Sequence, residues 1–291
     1  MLLNLIIAGL VLGSIYGLIA LGYSLIYKAS GLMSFVQGDI MTVGAYLGLT
    51  FYHILKLPFA VSFLLSILCA FFLGMLLEKG VIRKLLNKNV MPIYVVLATI
   101  AISYIIQNAL MLGYGSITLF YPSVFNVTSV KVWAANIQPE ALLCLGTSLV
   151  AMVLLHFFMT KTKLGTAMRA AAMDSVAAES CGINVSLSTG ITWGLSAGLA
   201  AIAGMLLGPM YGVFPILGAT IGRKGFSGAV VGGYGNMYGS ILGGILLGLL
   251  ETLVAGYVSS VYKNLFAYII LLIFLFLKPT GIFNERAIQD V

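Results

Sequence analysis

Residues 58 to 78 read PFAVSFLLSILCAFFLGMLLE, an apolar run in which the last residue, Glu78, is the first to carry a charge. A helix needs about 20 predominantly apolar residues to cross the hydrocarbon core of a bilayer. In lipid, a single crossing segment satisfies its backbone N–H and C=O groups only when it is helical. The run therefore predicts a transmembrane α-helix.

The composition extends this prediction to the whole chain. Of its 291 residues, 61% are hydrophobic and 8% are charged, whereas about 25% of the residues of an average soluble domain are charged. So few charged side chains cannot cover the surface of a soluble protein of this length, but lipid accepts apolar side chains on every face of a helix. We therefore exclude a soluble domain and expect membrane lipid around the protein.

Seven further runs meet the same criterion of length and apolar character. They lie near residues 3–27, 37–55, 91–113, 139–160, 187–209, 240–257 and 261–277. The sequence thus predicts an all-α polytopic membrane protein with about eight transmembrane helices, organised as a single transmembrane domain over residues 1–291. No basic residue precedes Lys28, so we interpret the first run as a retained helix and not as a signal peptide.

Basic residues cluster in two loops between these runs, and the clusters predict the orientation of the chain. The loops hold Lys79, Arg83, Lys84 and Lys88, and then Lys161, Lys163 and Arg169. Short loops rich in Lys and Arg face the cytoplasm, and the two intervening spans place both loops on the same side. We expect the N-terminus outside and the C-terminus inside a cell (plasma or inner) membrane. The net charge of +7 then reflects topology, and no nucleic-acid partner is expected.

Eight full spans would return the C-terminus to the outside, so a cytoplasmic C-terminus requires one more crossing element. Residues 223–236 are glycine-rich and too short for an ordinary span, which is typical of a re-entrant or broken half-helix. Arg223 and Lys224 would then lie at the outer side. A glycine-rich break before a helix with polar first residues occurs around 28–39 and again around 222–238, which predicts two weakly related halves.

Glycines recur at intervals of four residues in the first predicted span and around the start of the seventh. They are Gly9, Gly13 and Gly17, then Gly235, Gly239 and Gly243, with Gly244 and Gly248 beside them. This spacing puts small residues on one helix face, where a neighbouring backbone can approach closely. We therefore expect close helix–helix contacts along these glycines.

Two carboxyl groups fall inside predicted spans, where a charge costs several kcal/mol unless it is paired or faces water. Asp39 follows Gln37 and Gly38 just after a break, so it either caps a helix or lines a pathway. Glu251 either joins two helices or contacts a solute. The candidates for a translocation pathway or a helix break are Gln37, Gly38, Asp39, Gly232, Gly233 and Glu251, and further polar candidates are Lys28, Gln107 and Asn108.

Residues 161–186, KTKLGTAMRAAAMDSVAAESCGINVS, form a polar, alanine-rich stretch between two predicted spans. Its Lys, Met, Ala, Arg and Glu residues favour helix, and Gly165 and Gly182 can punctuate it. We expect one or two short helices on the cytoplasmic face. Such an element either binds a partner protein or rests as an amphipathic helix among the lipid headgroups.

The sequence GFSG at residues 225–228 resembles the pattern around the nucleophile of rhomboid-type intramembrane proteases. A serine nucleophile needs a base, and in those proteases the histidine lies on a later span, but His53 and His156 both precede Ser227. The chain has no GxxxxGK[ST] phosphate-binding loop, and its three cysteines are too widely spaced to indicate a metal site. We expect no catalytic residues, metal or cofactor in this chain.

Three motifs occur in order along the chain. They are GLIALGYSLIYKASGLMSFVQGDIMTVGAY at residues 17–46, LGTAMRAAAMDSVAAESCGIN at 164–184 and GFSGAVVGGYGNMYGSILGGILLGLLET at 225–252, followed by the ending KPTGIF at 278–283. Together they resemble the branched-chain amino acid permease family of ATP-binding cassette (ABC) importers, over nearly the whole chain. The chain departs from the common family form at Gln37, where histidine is frequent, and at Asp39, where glutamate is frequent.

The resemblance implies a permease subunit that moves branched-chain or related hydrophobic amino acids into the cytoplasm. It also implies a second permease subunit in a heterodimer, two cytoplasmic ATPase subunits that bind ATP and Mg²⁺, and an extracytoplasmic substrate-binding protein. The AAxxxG part of the family's loop signature makes residues 161–186 the segment that couples to the ATPases. The expected coupling residues are Gly165, Arg169, Asp174, Ala177, Ala178, Glu179 and Gly182.

Two alternatives stay open at the level of sequence. Relatives within the wider family import urea and other small polar solutes, and the departures at Gln37 and Asp39 leave the member of the family undecided. An ion-coupled secondary transporter also uses broken helices and sites near the middle of the membrane. Such a transporter would work without an ATPase.

Overall fold

The computed structural model describes residues 2–88, 90–122, 130–132, 135–278 and 280–283. Its α-helices over these residues are α1 (Leu2–Ser30), α2 (Gln37–Leu49), α3 (Phe59–Leu77), α4 (Arg83–Leu86), α5 (Pro92–Tyr114), α6 (Pro139–Lys161), α7 (Lys163–Met173), α8 (Ser175–Ser180), α9 (Val185–Tyr211), α10 (Leu217–Gly232), α11 (Met237–Tyr257) and α12 (Lys263–Leu277). Turns of π-helix continue α2 over Thr50–Ile54 and join α3 to α4 over Glu78–Ile82.

Two short strands interrupt the predicted all-α pattern. β1 (Val130–Val132) and β2 (Ala135–Ile137) pair antiparallel, with Val130 opposite Ile137. The pair lies in the connection between α5 and α6, outside the apolar helices. The helical prediction therefore holds for the membrane-spanning part of the chain.

Six helical segments of the described chain are long and apolar enough to cross a membrane. They are 2–30, 59–86, 92–114, 139–161, 185–211 and 237–257, and each matches a predicted span within a few residues at its start. The predicted count of about eight is not confirmed. The predicted span at 37–55 corresponds to α2, a helix of 13 residues continued by a π-helical turn, and the one at 261–277 corresponds to α12, a helix of 15 residues.

Helices α1 and α9 form the centre of the bundle. In their most apolar stretches 67% of the α1 residues and 83% of the α9 residues are buried, against 28% in α6 and 22% in α5. Helix α1 packs against α9, α10 and α11, and α9 packs against α2 and α3. Because lipid removes the hydrophobic drive for helices to associate, such central helices depend on close van der Waals packing.

Glycines of α1 and α11 form one of these close contacts, as their spacing predicts. A Cβ atom placed on Gly13 would lie 2.7 Å from the Ile245 Cα atom, and Gly244 and Gly248 meet the backbone of Gly17 and Gly13. Two further glycines of α11, Gly239 and Gly243, face the glycines of α10. The predicted glycines are therefore in close contacts, but Gly239 and Gly243 pack on α10 and not on the glycines of α1.

The two basic loops lie at the same end of the bundle, as predicted. The Arg83 Nη2 atom donates to the Ser186 carbonyl oxygen at 2.6 Å, and the Thr189 hydroxyl donates to the Glu78 Oε1 atom at 3.3 Å. The last described residues lie against the end of α10, because the Phe283 N–H donates to the Gly232 carbonyl oxygen.

Candidate functional site

Helices α2 and α10 touch through glycine backbones in the interior of the bundle. A Cβ atom on Gly222 would lie 2.7 Å from the Gly38 Cα atom, and Gly38 and Gly218 approach each other even more closely. No residue larger than glycine fits between the two backbones without moving a helix. The contact brings the next residue of each helix, Asp39 and Arg223, to one cavity.

This cavity has a volume of about 330 Å³ and lies between α2, α5 and α10. Its polar lining comes from Asp39, Ser103, Gln107 and Arg223 together with the tyrosines at 23 and 104. Its apolar lining comes from Phe35, Ile100 and Ile216. A concave wall that combines apolar surface with converging polar groups is typical of a small-molecule site.

The Asp39 carboxylate is buried in the wall of the cavity, with the residue 1% exposed. It accepts hydrogen bonds from the Gln107 Nε2 atom at 3.0 Å and from the Ser103 hydroxyl. These donors offset part of the cost of burying a carboxylate. The N-cap of α2 is Val36, and no side chain caps this helix. Of the two roles that the sequence left open, helix capping is therefore wrong.

Gln37 ties the start of α2 to α9. Its Nε2 atom donates to the Ser196 carbonyl oxygen at 2.8 Å, and the Ser196 hydroxyl donates to the Gly22 carbonyl oxygen of α1 at 2.8 Å. Gly22 leaves room for this arrangement, because a Cβ atom there would lie 3.0 Å from the Gln37 Cδ atom. The start of α2 is thus hydrogen-bonded to α9, and through Ser196 it is linked to α1.

Glu251 lies in a second buried polar cluster, which joins three helices. The Lys224 Nζ atom of α10 is 2.6 Å from the Glu251 Oε1 atom of α11, and the Tyr16 hydroxyl of α1 donates to Glu251 Oε2 at 2.8 Å. The side chains of Lys224 and Glu251 are 6% and 2% exposed. Of the two roles left open for Glu251, the structure therefore shows the contact between helices.

The position of Lys224, and with it that of the preceding residue Arg223, corrects the prediction that both lie at the outer side. Lys224 reaches Tyr16, which is halfway along α1 (Leu2–Ser30), so it lies deep within the bundle. The reason is that α10 packs against α1, α2 and α11, so its Lys224 side chain is enclosed by these helices. Its buried carboxylate partner offsets the cost of placing an ammonium group there.

Gly232 and Gly233 lie apart from both polar clusters. Gly232 is the last residue of α10, and Gly233 follows it with a φ of 114°, a conformation that favours glycine. Gly232 is nine positions after Arg223 in the helix, a distance of about 14 Å along the axis. The structure therefore does not bring these glycines together with Asp39.

Residues 161–186 form two short helices, α7 and α8, at the end of the bundle that carries the basic loops, as predicted. The Gly165 N–H donates to the Thr162 hydroxyl at 3.0 Å, and Gly165 packs against the backbone of Met159 at the end of α6. Arg169 and Glu179 are exposed, as are the apolar side chains of Met173 and Val176. The segment thus presents a mixed polar and apolar surface beyond the spans.

The turn structure of this segment explains several of its residue types. Asp174 is the N-cap of α8, and its carboxylate accepts from the N–H groups of Val176 and Ala177, each at 2.9 Å. Ala177 is exposed and Ala178 is buried. Gly182 ends the helix with a φ of 81°, which favours glycine at that position. The helix α9 begins three residues later, so α8 is held close to a central helix.

Comparison with known proteins places this arrangement in a family. Residues 5–275 match the family described as "Branched-chain amino acid transport system / permease component". The chain belongs to this permease family. It is 32% identical to the high-affinity branched-chain amino acid transport system permease protein LivH of Salmonella typhimurium, over 97% of this chain and 96% of that protein. It is 31% identical to the corresponding protein BraD of Pseudomonas aeruginosa, over 99% and 98% of the two chains.

The permease fold is also similar to a solved structure. PsaBC from Streptococcus pneumoniae in complex with Fab matches with a TM-score of 0.53 and 15% sequence identity, over 94% of this chain and 91% of that chain. At this level of identity the likeness concerns the fold alone.

Several residues of the two polar clusters do not follow from the sequence patterns. They are Ser103, Tyr16 and the buried Lys224. Ser103 is four residues before the candidate Gln107, which puts both on one face of α5, and that spacing was a usable signal. Lys224 is a cation in a glycine-rich apolar segment, so a buried carboxylate partner could have been sought for it.

Proposed function

We propose that this chain is the transmembrane permease subunit of an ABC importer that moves branched-chain or related hydrophobic amino acids into the cytoplasm. Membership of the permease family supports the transport role, and the names of LivH and BraD support the amino-acid substrate. The main support for coupling to ATP is the pair of helices α7 and α8, which present exposed residues at the end of the bundle that holds the two basic loops.

The proposed assembly contains a second permease subunit, two cytoplasmic ATPase subunits and an extracytoplasmic substrate-binding protein. ATP and Mg²⁺ bind to the ATPase subunits, and this chain performs no hydrolysis itself. The two permease subunits form a heterodimer with the solute pathway between or beside them. The description of the family as the permease component of a transport system supports an assembly with further subunits.

The proposed orientation puts the N-terminus outside and the C-terminus in the cytoplasm of an inner-membrane, multi-pass protein. The excess of Lys and Arg in the loops at 79–90 and 161–186 supports it. Helix α10 would be the predicted half-helix, since it has 16 residues and starts in the interior against Gly38. With α2 and α12 as shorter spans, this gives about eight spans and one re-entrant element.

The proposed coupling path runs from α7 and α8 into α9. An ATPase subunit would contact the exposed Arg169, Asp174 and Glu179 and the nearby small residues, and ATP binding would move this segment. Gly165 packs on the end of α6, and Gly182 leads into α9, whose Ser196 carbonyl oxygen binds Gln37. Movement of α9 would therefore be transmitted to the start of α2, where Asp39 lines the cavity.

The proposed pathway uses the start of α2. Gln37, Gly38 and Asp39 lie where α2, α9 and α10 meet, and a displacement of α10 along the glycine contact would open or close the cavity. Glu251 would hold α11 and α10 together as they move, through Lys224. Gly232 and Gly233 would provide the break at the end of α10.

The direct test is reconstitution of the complete transport system. The chain would be co-expressed with the permease, ATPase and binding-protein genes that neighbour its own, purified as a complex and placed in liposomes. We expect uptake of radiolabelled L-leucine, L-isoleucine or L-valine that requires both ATP and the binding protein. Uptake by this chain alone, driven by a proton or sodium gradient, would instead identify an ion-coupled transporter.

A further inference from the structure

The cavity between α2, α5 and α10 holds two opposite charges that are not paired with each other. Asp39 and Arg223 both line it, and their neighbours Gly38 and Gly222 are in contact. Among the described residues, the Arg223 guanidinium forms no ion pair. An ionised carboxylate can accept about four hydrogen bonds and a guanidinium can donate five. Asp39 receives two, so both groups retain capacity for a ligand.

Arg223 lies at a depth where a charge does not face lipid. The next residue, Lys224, reaches Tyr16 at the midpoint of α1, yet Arg223 itself is exposed. Ionisable residues at such depth face the interior of an assembly or a water-filled cavity, and they mark solute pathways. The face of α10 that carries Arg223 is therefore expected to border the pathway.

We propose that this cavity is a transient binding site for a zwitterionic α-amino acid, in which Arg223 binds the α-carboxylate and Asp39 binds the α-ammonium group. The inference rests on the proposed import of amino acids and adds a solute site within the permease itself. Arg223 is a group that the sequence did not indicate as a site residue. A guanidinium binds a carboxylate in a bidentate manner, and a carboxylate accepts readily from an ammonium group.

The rest of the cavity suits an aliphatic side chain. Its volume of about 330 Å³ is at the lower end of the range of about 300–1,000 Å³ for small-molecule sites, which fits a single amino acid. Phe35, Ile100 and Ile216 supply apolar walls. Gln107 and Ser103 hold the Asp39 carboxylate in place, so its orientation exists before the solute arrives.

The test is a binding experiment that pairs two variants with two analogues. The complex of permease and ATPase subunits, without binding protein, is placed in nanodiscs, and saturation-transfer NMR measures the binding of three ligands. They are L-leucine, isopentylamine, which lacks the carboxylate, and 4-methylpentanoate, which lacks the ammonium group. We expect the wild type to bind L-leucine at least about tenfold better than either analogue, the loss from one charge-assisted contact. In Arg223→Gln, isopentylamine should bind as well as L-leucine. In Asp39→Asn, 4-methylpentanoate should bind as well as L-leucine.

Leu112→Ala is the control, because Leu112 lies on α5, is exposed and does not line the cavity, and it should keep the wild-type preferences. Equal binding of L-leucine and both analogues by the wild type would overturn the site, even if the charge variants failed to assemble. So would an unchanged preference in both charge variants. Failure of the proposed function gives a different result, namely no ATP-dependent uptake of any branched-chain amino acid by the wild-type system.

Discussion

The Lys224 Nζ atom of α10 lies 2.6 Å from the Glu251 Oε1 atom of α11, and both side chains are almost fully buried. Tyr16 of α1 binds the other carboxylate oxygen at 2.8 Å. One ion pair and one hydroxyl therefore connect helix α10 to α11 and α1, two of the helices against which it packs. Helix α10 also carries Arg223 and the glycine contact with α2, so this connection holds the helix that borders the cavity.

The buried pair predicts a difference between single and double substitutions. Glu251→Leu leaves the Lys224 ammonium buried without its carboxylate and should lower the free energy of unfolding by about 3–5 kcal/mol. The double variant Lys224→Met with Glu251→Leu should recover most of that loss, because it buries no unpaired charge. Size-exclusion chromatography after heating compares the thermal stability of the single and the double variant, and Lys88→Met is the control at an exposed lysine. Equal losses in the single and double variants would contradict the pairing.

The glycine contact between α2 and α10 predicts strong sensitivity to side-chain size. Gly38→Val forces a side chain into the Gly218 and Gly222 backbones and should destabilise the fold by at least about 1–3 kcal/mol through overpacking. Gly113→Val on α5 is the control, since a Cβ atom there has no neighbour within 4 Å. The measurement is the yield of monodisperse protein in detergent, which should be lower for Gly38→Val than for Gly113→Val. Comparable yields would show that the helices separate easily at this point.

The proposed coupling role of α7 predicts that charge reversal at Arg169 weakens the contact between the permease and its ATPase subunits. In Arg169→Glu, we expect ATP-dependent uptake to fall at least about tenfold, an effect of about 1.4 kcal/mol, with less ATPase subunit retained during purification. Lys88→Glu makes the same change of charge at the same end of the bundle, outside α7 and α8, and should have little effect. Full uptake by Arg169→Glu, or by Gly182→Glu, would remove the coupling assignment.

The proposed orientation predicts one-sided labelling of Cys181. This thiol is exposed just after α8, whereas Cys144 is buried and Cys69 is half-buried. In a variant with Cys69→Ala and Cys144→Ala, a membrane-impermeant maleimide should label Cys181 in inside-out vesicles and not in intact spheroplasts. Adding Lys56→Cys in place of Cys181 should give the opposite pattern, because the turn after α2 lies at the other end of the bundle. Labelling of Cys181 from the outside would invert the topology and exclude contact with a cytoplasmic ATPase.

The local features of the chain could be predicted well from its sequence. Long apolar runs gave six candidate spans near their observed positions, because a span is defined by the length and polarity of one segment. The helices α7 and α8 followed from residue propensities and from Gly182, which ends α8 with a positive φ. Glycine spacing predicted close packing, but it did not reveal that Gly13 faces Gly248 whereas Gly243 faces α10.

Composition and local pattern were enough to predict that lipid surrounds this protein, that its spans are helical and that the two basic loops lie at the same end of the bundle. These properties depend on composition and on neighbours within one segment. Three contacts became visible only in the folded chain: Lys224 pairs with Glu251, Asp39 binds Ser103 and Gln107, and Arg223 lines the same cavity as Asp39. Those contacts join helices that are far apart in the chain, and which helix faces meet depends on how closely small residues let the backbones approach.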